Sequence, residues 1–313
     1  MWNYLKIEFK QFYLNKKNIA IYCLLLFAVL FYSIKFAPAY EPIEKVDRDE
    51  IQARYDTRQE FLDRMLKRDL TNAHPAIHDA IYVFSLINPL DEQRLKALDE
   101  GDLVKYAEVT GEWYLQTNFI SYSSETYSYN PLYFTKNNQF ARDDAFYAYF
   151  EASKRYEYFA KADYPLSLEL FEQKTALQTL ERMLKGPLPL LLIIFCLLLT
   201  VDIVTKDRKH PSLLKGLPIA DWKKFSVKLL VALMGSLGLF IPILIGLFII
   251  GIQSGFGNLS IPVPQYSFGL MTDQEGLFSV MSLGDFFLES GVLLILWFLV
   301  IIVVVLLCSA IFN

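Results

Sequence analysis

The sequence predicts an all-α membrane protein with four transmembrane helices, an N-terminal interfacial amphipathic helix and a helical extracellular domain. Three observations lead to this fold class. The 313-residue chain is 54% hydrophobic, a higher share than soluble proteins usually have. Its apolar residues are collected into long runs that carry almost no charge, as membrane spans require. A polar segment of domain size, with apolar residues at helical spacing, separates the first run from the second.

The boundaries of each element follow from these runs. We predict an interfacial helix over 1–17, transmembrane helices over 18–35, 186–204, 229–252 and 286–313, an extracellular domain over 36–185, a cytoplasmic loop over 205–228 and an extracellular loop over 253–285. The first run is short for a span, but Asn18 and Lys35 can extend toward water at its ends. The alternative is a cleaved signal peptide, because residues 37–39 resemble a small-residue cleavage site. The long aromatic region before the first run argues against this alternative.

The distribution of basic residues predicts the orientation of the chain. Residues 1–17 hold four lysines, the loop 205–228 holds seven basic residues, and the loop 253–285 holds none. Loops rich in lysine and arginine stay in the cytoplasm. The N-terminus and the loop 205–228 are therefore expected inside, and 36–185 outside. The segment 36–185 has a net charge of −8 and the remainder +4, a segregation typical of an inserted protein rather than a nucleic-acid binder.

The first residues form an amphipathic pattern. Trp2, Leu5, Phe9 and Phe12 fall on one helical face, and lysines cluster beside it. Such a helix can lie in the membrane interface, with its apolar side toward lipid. The alternative is a cytosolic lead-in to the first span.

The polar segment is expected to be a compact helical domain with its own core. A dense aromatic helix is predicted over 140–162, and a loop rich in Ser, Tyr and Asn over 117–138. The domain has no cysteine, because all three cysteines lie in the apolar runs, so no disulfide framework is available to it. His74 and His78 share a helical spacing but are a weak metal signal, and surface histidines near a helix start are the simpler interpretation.

The sequence lacks the residues that several classes of mechanism require. No glycine is followed by lysine, which excludes a phosphate-binding P-loop, and no catalytic constellation is visible. Ion-coupled carriers need ionisable groups within the membrane, whereas Asp202, which could pair with Lys206, lies near a span end. We therefore expect no cofactor in this chain, and a driving force supplied by another protein.

The cytoplasmic loop resembles the corresponding loop of ABC-2-type transporter permeases. It carries a charged pair at 207–208, a leucine pair at 213–214, a Leu-Pro-Ile turn at 217–219 and a lysine followed by two leucines at 228–230. The N-terminal helix and the large domain after the first span also resemble such permeases from Gram-positive bacteria. The resemblance implies a bacterial cell-membrane location, a second permease copy in a homo- or heterodimer, and cytosolic ATPase subunits that bind ATP.

The resemblance also implies residues that couple the loop to an ATPase. These are Asp207, Arg208, Leu214, Lys215, Leu217, Pro218, Trp222, Lys223 and Lys224. Trp222 and Leu217 would form the buried contact, and the lysines its charged rim. The alternative for Trp222 is an aromatic anchor at the membrane interface.

Two further alternatives stay open. The family usually has six spans, and a four-span plan with a large domain after the first span resembles the MacB/FtsX-like permeases instead.

The exported substrate would be a peptide, a lipid-linked molecule or an antimicrobial compound, with self-immunity as one role. A receptor or regulator, whose outer domain senses a ligand without transport, is the competing function. A membrane enzyme lacks the residues it would need.

Overall fold

The computed structural model describes residues 2–43, 45–124, 127–134, 139–203, 219–266 and 278–311, and the chain is mostly helical. In chain order, the helices are α1 (Trp2–Tyr13), α2 (Lys16–Phe31), α3 (Arg48–Met65), α4 (Pro75–Glu100), α5 (Leu103–Ser123), α6 (Ala141–Ala160), α7 (Leu168–Phe171), α8 (Ala176–Lys185), α9 (Leu188–Thr200), α10 (Asp221–Leu237), α11 (Phe240–Ser254) and α12 (Leu283–Ile311). The strands are β1 (Pro262–Tyr266) and β2 (Phe278–Ser282).

The chain divides into two compact units. The bundle unit comprises Met1–Tyr40, Gln173–Gly257 and Gly284–Asn313, and the polar unit comprises Glu41–Glu172 and Asn258–Leu283. The predicted boundary at 185 differs from this division, because α8 belongs to the bundle unit. Leu180, Met183 and Leu184 of α8 pack against the core of the bundle.

Among the described residues, three helices of the bundle unit are long and apolar enough to cross a membrane: Lys16–Phe36, Asp221–Ser254 and Leu283–Ser309. The predicted second span, 186–204, contains only the 13 residues of α9 as regular helix. At 1.5 Å per residue α9 is about 20 Å long, shorter than the roughly 30 Å of hydrocarbon that a span crosses. It counts as a fourth span only when joined to the helical stretch that ends at Lys185, which it meets at 71°.

α8 does not run straight into α9. Gly186 and Pro187 separate α8 from α9. Proline restricts the residue before it and cannot donate a backbone hydrogen bond, so a helix readily ends at such a pair.

The third apolar run is interrupted rather than continuous. α10 ends at Leu237 and α11 begins at Phe240. Pro242 explains the break, because its ring clashes with the carbonyl group four residues earlier, at Gly238. Two other glycines of this run make close approaches: a Cβ atom at Gly235 would lie 2.1 Å from the Phe12 ring, and one at Gly246 would lie 2.2 Å from Val29.

In the polar unit, α4 packs against α3 and α5, and α5 packs against α6. The aromatic stripe of α6 contributes to the core of this unit, where Tyr156 and Phe159 contact Phe171 of α7. The predicted loop over 117–138 starts too early, because α5 continues to Ser123. Asn118 explains the extension, since its buried side-chain amide donates a hydrogen bond to the Phe146 carbonyl of α6.

The interpretation as an all-α protein with a simple loop over 253–285 was also incomplete. β1 and β2 pair antiparallel, with Pro262 opposite Ser282, and form a two-stranded sheet in the polar unit. Tyr266 of β1 contacts Tyr147, and Phe278 of β2 stacks on Phe150, so the hairpin packs on α6. β1 contains two prolines, which are tolerated because both strands of a two-stranded sheet are edge strands.

Candidate functional site

The structure describes three of the nine predicted coupling residues. Trp222, Lys223 and Lys224 form the first turn of α10. The indole of Trp222 is 67% exposed, with the Lys223 ammonium group 5.4 Å from its ring centroid, and Lys224 pairs with Asp221 at 3.1 Å. The other six, Asp207, Arg208, Leu214, Lys215, Leu217 and Pro218, lie outside the described residues.

The N-terminal helix α1 turns its apolar face toward protein. Phe12 is 3% exposed and lies against Gly235 of α10, while Leu5 and Phe9 pack on the core of the bundle. Trp2 departs from this arrangement, because its ring is 66% exposed with the Lys6 ammonium group 5.5 Å from its centroid. The prediction that all four side chains point the same way, toward lipid, therefore does not describe Phe12.

A buried charge pair joins α1 to α10. The carboxylate of Glu8 and the ammonium group of Lys228 are 3.9 Å apart, and both side chains are almost completely buried. Lys228 Nζ also donates a hydrogen bond of 3.0 Å to the carbonyl oxygen of Ile203. Charges removed from water must be paired or hydrogen-bonded, since an uncompensated buried charge is strongly destabilising. Glu8 therefore fixes the position of Lys228.

A second pair joins the start of α2 to the end of α9. Lys17 Nζ lies 2.7 Å from a carboxylate oxygen of Asp202, and it donates a hydrogen bond to the carbonyl of Leu198 at 2.6 Å. The sequence suggested Lys206 as the partner of Asp202, but Lys206 lies outside the described residues. Lys17 instead comes from a helix that is distant in the sequence.

Together these contacts define the candidate site: the two flanks of the loop, 198–203 and 219–228, with the α1–α2 segment that holds them. Ile203 and Asp202 precede the segment 204–218, and Lys228 follows it. Sequence reasoning did not pair these residues. A signal was present, because Glu8 is the one acidic residue in the first 40 residues of the chain.

The break between α10 and α11 is held by two tyrosines. Tyr22 of α2 donates a hydrogen bond of 2.7 Å to the carbonyl of Gly235, and Tyr13 of α1 donates one of 3.2 Å to that of Met234. The N–H of Leu239 bonds to Ser236 rather than to the Gly235 carbonyl, so that carbonyl needs another partner, whereas the Met234 carbonyl also accepts from the N–H of Gly238. The same α1–α2 segment therefore contacts both the loop flanks and the interrupted helix.

A separate candidate lies within the polar unit, where a cavity of about 410 Å³ opens beside α3, α5 and α6. Its walls include three arginines and three aromatic side chains, Arg54, Arg58, Arg94, Trp113, Tyr114 and Tyr149. We call it the arginine–aromatic cavity. Burial lowers the pKa of Arg58, against the opposing effect of Asp91. Burial raises the pKa of Tyr129, also on the wall, so its hydroxyl group stays protonated.

No cluster of three or more His, Cys, Asp or Glu side chains that could hold a metal ion occurs in the described part of the chain. His74 instead begins α4, where its ring nitrogen Nδ1 accepts a hydrogen bond from the backbone of Ala76. Cys23, Cys196 and Cys308 are free thiols.

Comparisons of the chain with protein-family models, with curated proteins and with solved structures find no match. The function proposed for the chain therefore draws on its own residues and geometry and on the resemblance of the loop 205–228 to loops of ABC-2-type permeases.

Proposed function

We propose that the chain is the transmembrane permease subunit of an ATP-driven exporter and receives force from a separate ATPase through the loop 205–228. In this proposal α9, with the bent α8, serves as the second of four spans in a bacterial cell membrane. The N-terminus and the loop are cytoplasmic, and 36–185 is extracellular. The chain pairs with a second permease copy, and ATP binds to the partner subunits. The exported substrate is a peptide, a lipid-linked molecule or an antimicrobial compound.

One observation carries the proposal: both flanks of the loop are tied by charge pairs to one helical segment. Glu8 holds Lys228 on one flank, and Lys17 holds Asp202 on the other. A loop that only connects two spans does not need such ties. A loop that receives force needs them, because coupling between distant sites is carried by elements that are packed and paired to one another. The exposed Trp222 at the start of α10 offers a partner a large aromatic surface, the kind of residue that dominates binding energy in interfaces.

The test is co-purification of the chain with an ATPase subunit, followed by measurement of ATP turnover in Leu217→Asp and Trp222→Ala variants. Truncation of a central interface aromatic is expected to weaken ATPase binding by about thirtyfold or more. Leu132→Asp and Tyr82→Ala are the matched controls, since both side chains are well exposed in the polar unit. Unchanged binding and turnover in both loop variants would contradict the proposal.

The orientation is tested separately with a cysteine at Ser212, in a background where Cys23 and Cys308 are replaced by alanine. An impermeant thiol reagent added to intact cells should leave this cysteine unlabelled. Labelling from outside would place the loop on the other face of the membrane and remove its access to a cytosolic ATPase.

A receptor that senses a ligand without transport is the second candidate. The arginine–aromatic cavity favours it, because a cavity of about 410 Å³ is in the size range of small-molecule sites. The two functions differ in one measurable quantity. The quantity is the concentration of the compound in the medium around inverted membrane vesicles. An exporter lowers this concentration when ATP is supplied, because it moves the compound into the vesicles, whereas a receptor binds its ligand without moving it.

A further inference from the structure

Residues on the walls of the arginine–aromatic cavity have buried polar atoms that lack partners. Among the described residues, Arg54 Nε, Trp113 Nε1 and Thr117 Oγ1 make no hydrogen bond, although Arg54 pairs through Nη1 with Glu50 at 3.2 Å. The Trp113 side chain is buried, with an exposed fraction of 6%. A buried donor without a partner is destabilising, because it has given up its hydrogen bonds to water. Arg Nε and Trp Nε1 can only donate, so the groups that complete this site must be acceptors.

The charges around the cavity also call for an anion. Lys45, Arg54, Arg58 and Arg94 lie on its walls. Asp47 and Glu50 oppose them there, and the buried Asp91 behind the wall is shared, with its oxygens 2.7 Å from Arg58 and 2.9 Å from Arg94. On the walls themselves four basic groups face two acidic ones, and the buried carboxylates of Asp91 and Glu172 lie behind them, with Glu172 accepting a hydrogen bond from the backbone of Val46 at 3.3 Å. A basic group in a partly desolvated site favours an anionic partner.

The walls are mainly polar, but they also include aromatic rings against which a planar group can pack. The Trp113 ring has the Arg94 guanidinium at 4.8 Å and the Arg54 guanidinium at 5.6 Å from its centroid. Tyr114 contacts Tyr149 edge to face at 5.6 Å, so the aromatic rings meet at fixed angles. Aromatic rings of a ligand pack well against such edges and faces. Water can occupy the cavity in the free protein, but the aromatic walls offer water no hydrogen-bond partners.

We propose that this cavity is a binding site for a small organic anion that joins a planar apolar body to one carboxylate or phosphate group. The anionic group accepts hydrogen bonds from Arg54 Nε, Trp113 Nε1 and Thr117 Oγ1, and the planar body lies against the tyrosine rings. The site belongs to the polar unit alone and does not depend on the proposed transport function.

The test is titration calorimetry on the full chain in lipid nanodiscs, with phenylacetate, phenyl phosphate and the neutral phenylacetamide. Empty nanodiscs correct for partition into lipid. The two anions are expected to bind at least about tenfold more tightly than the amide, because hydrogen bonds to a charged acceptor are worth about twice neutral ones. Preference between phenylacetate and phenyl phosphate identifies which anionic group the site takes.

Three variants locate the binding. Arg54→Gln removes the guanidinium charge with its Nε donor, and Trp113→Phe removes the indole donor. Each should weaken phenylacetate binding by about tenfold, and Thr117→Val should weaken it by about threefold. Arg64→Gln is the matched control on the same helix, because Arg64 is exposed and pairs with Glu60. Circular dichroism verifies that each variant is folded.

Three outcomes would overturn the proposal. They are equal affinity for phenylacetate and phenylacetamide, no binding of either anion at millimolar concentration, and unchanged binding in the folded Arg54→Gln and Trp113→Phe variants. None of these outcomes bears on the loop 205–228, since no ATPase is present in the experiment. The permease proposal and this one can therefore fail separately.

Discussion

Replacing both members of the buried pair between Glu8 and Lys228 should destabilise the bundle by less than the sum of the two single replacements. At their separation of 3.9 Å the two charges attract by about 4 kcal/mol at an effective dielectric constant of about 20. Glu8→Gln leaves the ammonium group buried without its counter-charge, and Lys228→Met leaves the carboxylate in the same state. Each single change should cost about 3–5 kcal/mol. The double variant should cost less than the sum, with a coupling energy of at least about 2 kcal/mol.

The buried thiol of Cys196 provides the assay. Cys196 is inaccessible, whereas Cys23 and Cys308 are exposed, so a Cys23→Ala/Cys308→Ala background leaves one thiol that reacts when the bundle opens. When reclosing is fast, the labelling rate follows the opening free energy. A loss of about 4 kcal/mol should then speed the labelling of Cys196 about a thousandfold, at 1.4 kcal/mol for each tenfold change.

An exposed pair at the same separation, within one helix of the polar unit, is the control. Lys96 and Glu100 of α4 are also 3.9 Å apart, but their side chains are 72% and 60% exposed. Their neutralisation is expected to leave Cys196 labelling unchanged, since exposed pairs contribute about 0–1 kcal/mol. A coupling energy near zero for Glu8 and Lys228, measured in the double-mutant cycle, would refute the reasoning that burial makes this pair a tie between α1 and α10.

Two further outcomes are expected. Gly235→Ala would place a Cβ atom 2.1 Å from the Phe12 ring and should destabilise the bundle by roughly 1–3 kcal/mol. Gly291→Ala is the control, because a Cβ atom there lies in open space and should not destabilise the bundle. The rate of Cys196 labelling measures both variants, and equal rates would contradict the close packing of α1. In the polar unit, hydrogen bonds from Arg48 hold the pKa of the Asp99 carboxyl below its usual value. This pair stabilises the fold above about pH 4 and loses that effect as the pH falls through the lower, folded-state pKa. Asp99→Asn should therefore show a weaker loss of thermal stability on acidification, and parallel curves by circular dichroism would argue against the pair.

The sequence allowed the apolar helices to be predicted because their signal is local. A long uncharged run must be helical in lipid, so the first and last membrane-length helices, Lys16–Phe36 and Leu283–Ser309, lie close to the runs predicted over 18–35 and 286–313. The second run also looked like a span by composition. Its helical length was overestimated because hydropathy does not register where a helix stops, and α9 ends at Thr200.

What the sequence could not provide are contacts between distant residues. Glu8 and Lys228 are 220 positions apart, and the sequence around either residue does not indicate the other as its partner. The hairpin was missed for a related reason: the prolines of β1 argue against a strand, and its pairing with β2 becomes favourable only when both strands pack on α6. The convergence of the cavity arginines could not be predicted, because it depends on how α3 and α4 pack.

The connection between α1 and α2 determines where a force on the loop could go. The buried side-chain amide of Asn18 donates a hydrogen bond of 2.9 Å to the carbonyl of Phe12, so the end of α1 is fixed to the first turn of α2. Glu8 lies before this corner and Lys17 within it. A displacement of either loop flank would therefore act on the same corner and pass to the first membrane-length helix. Because coupling between sites is reciprocal, the corner would serve an exporter driven from the loop and a receptor reporting to it equally well. The direction of signalling must then be decided by which end binds a partner, and Trp222 and the arginine–aromatic cavity are the two surfaces to compare.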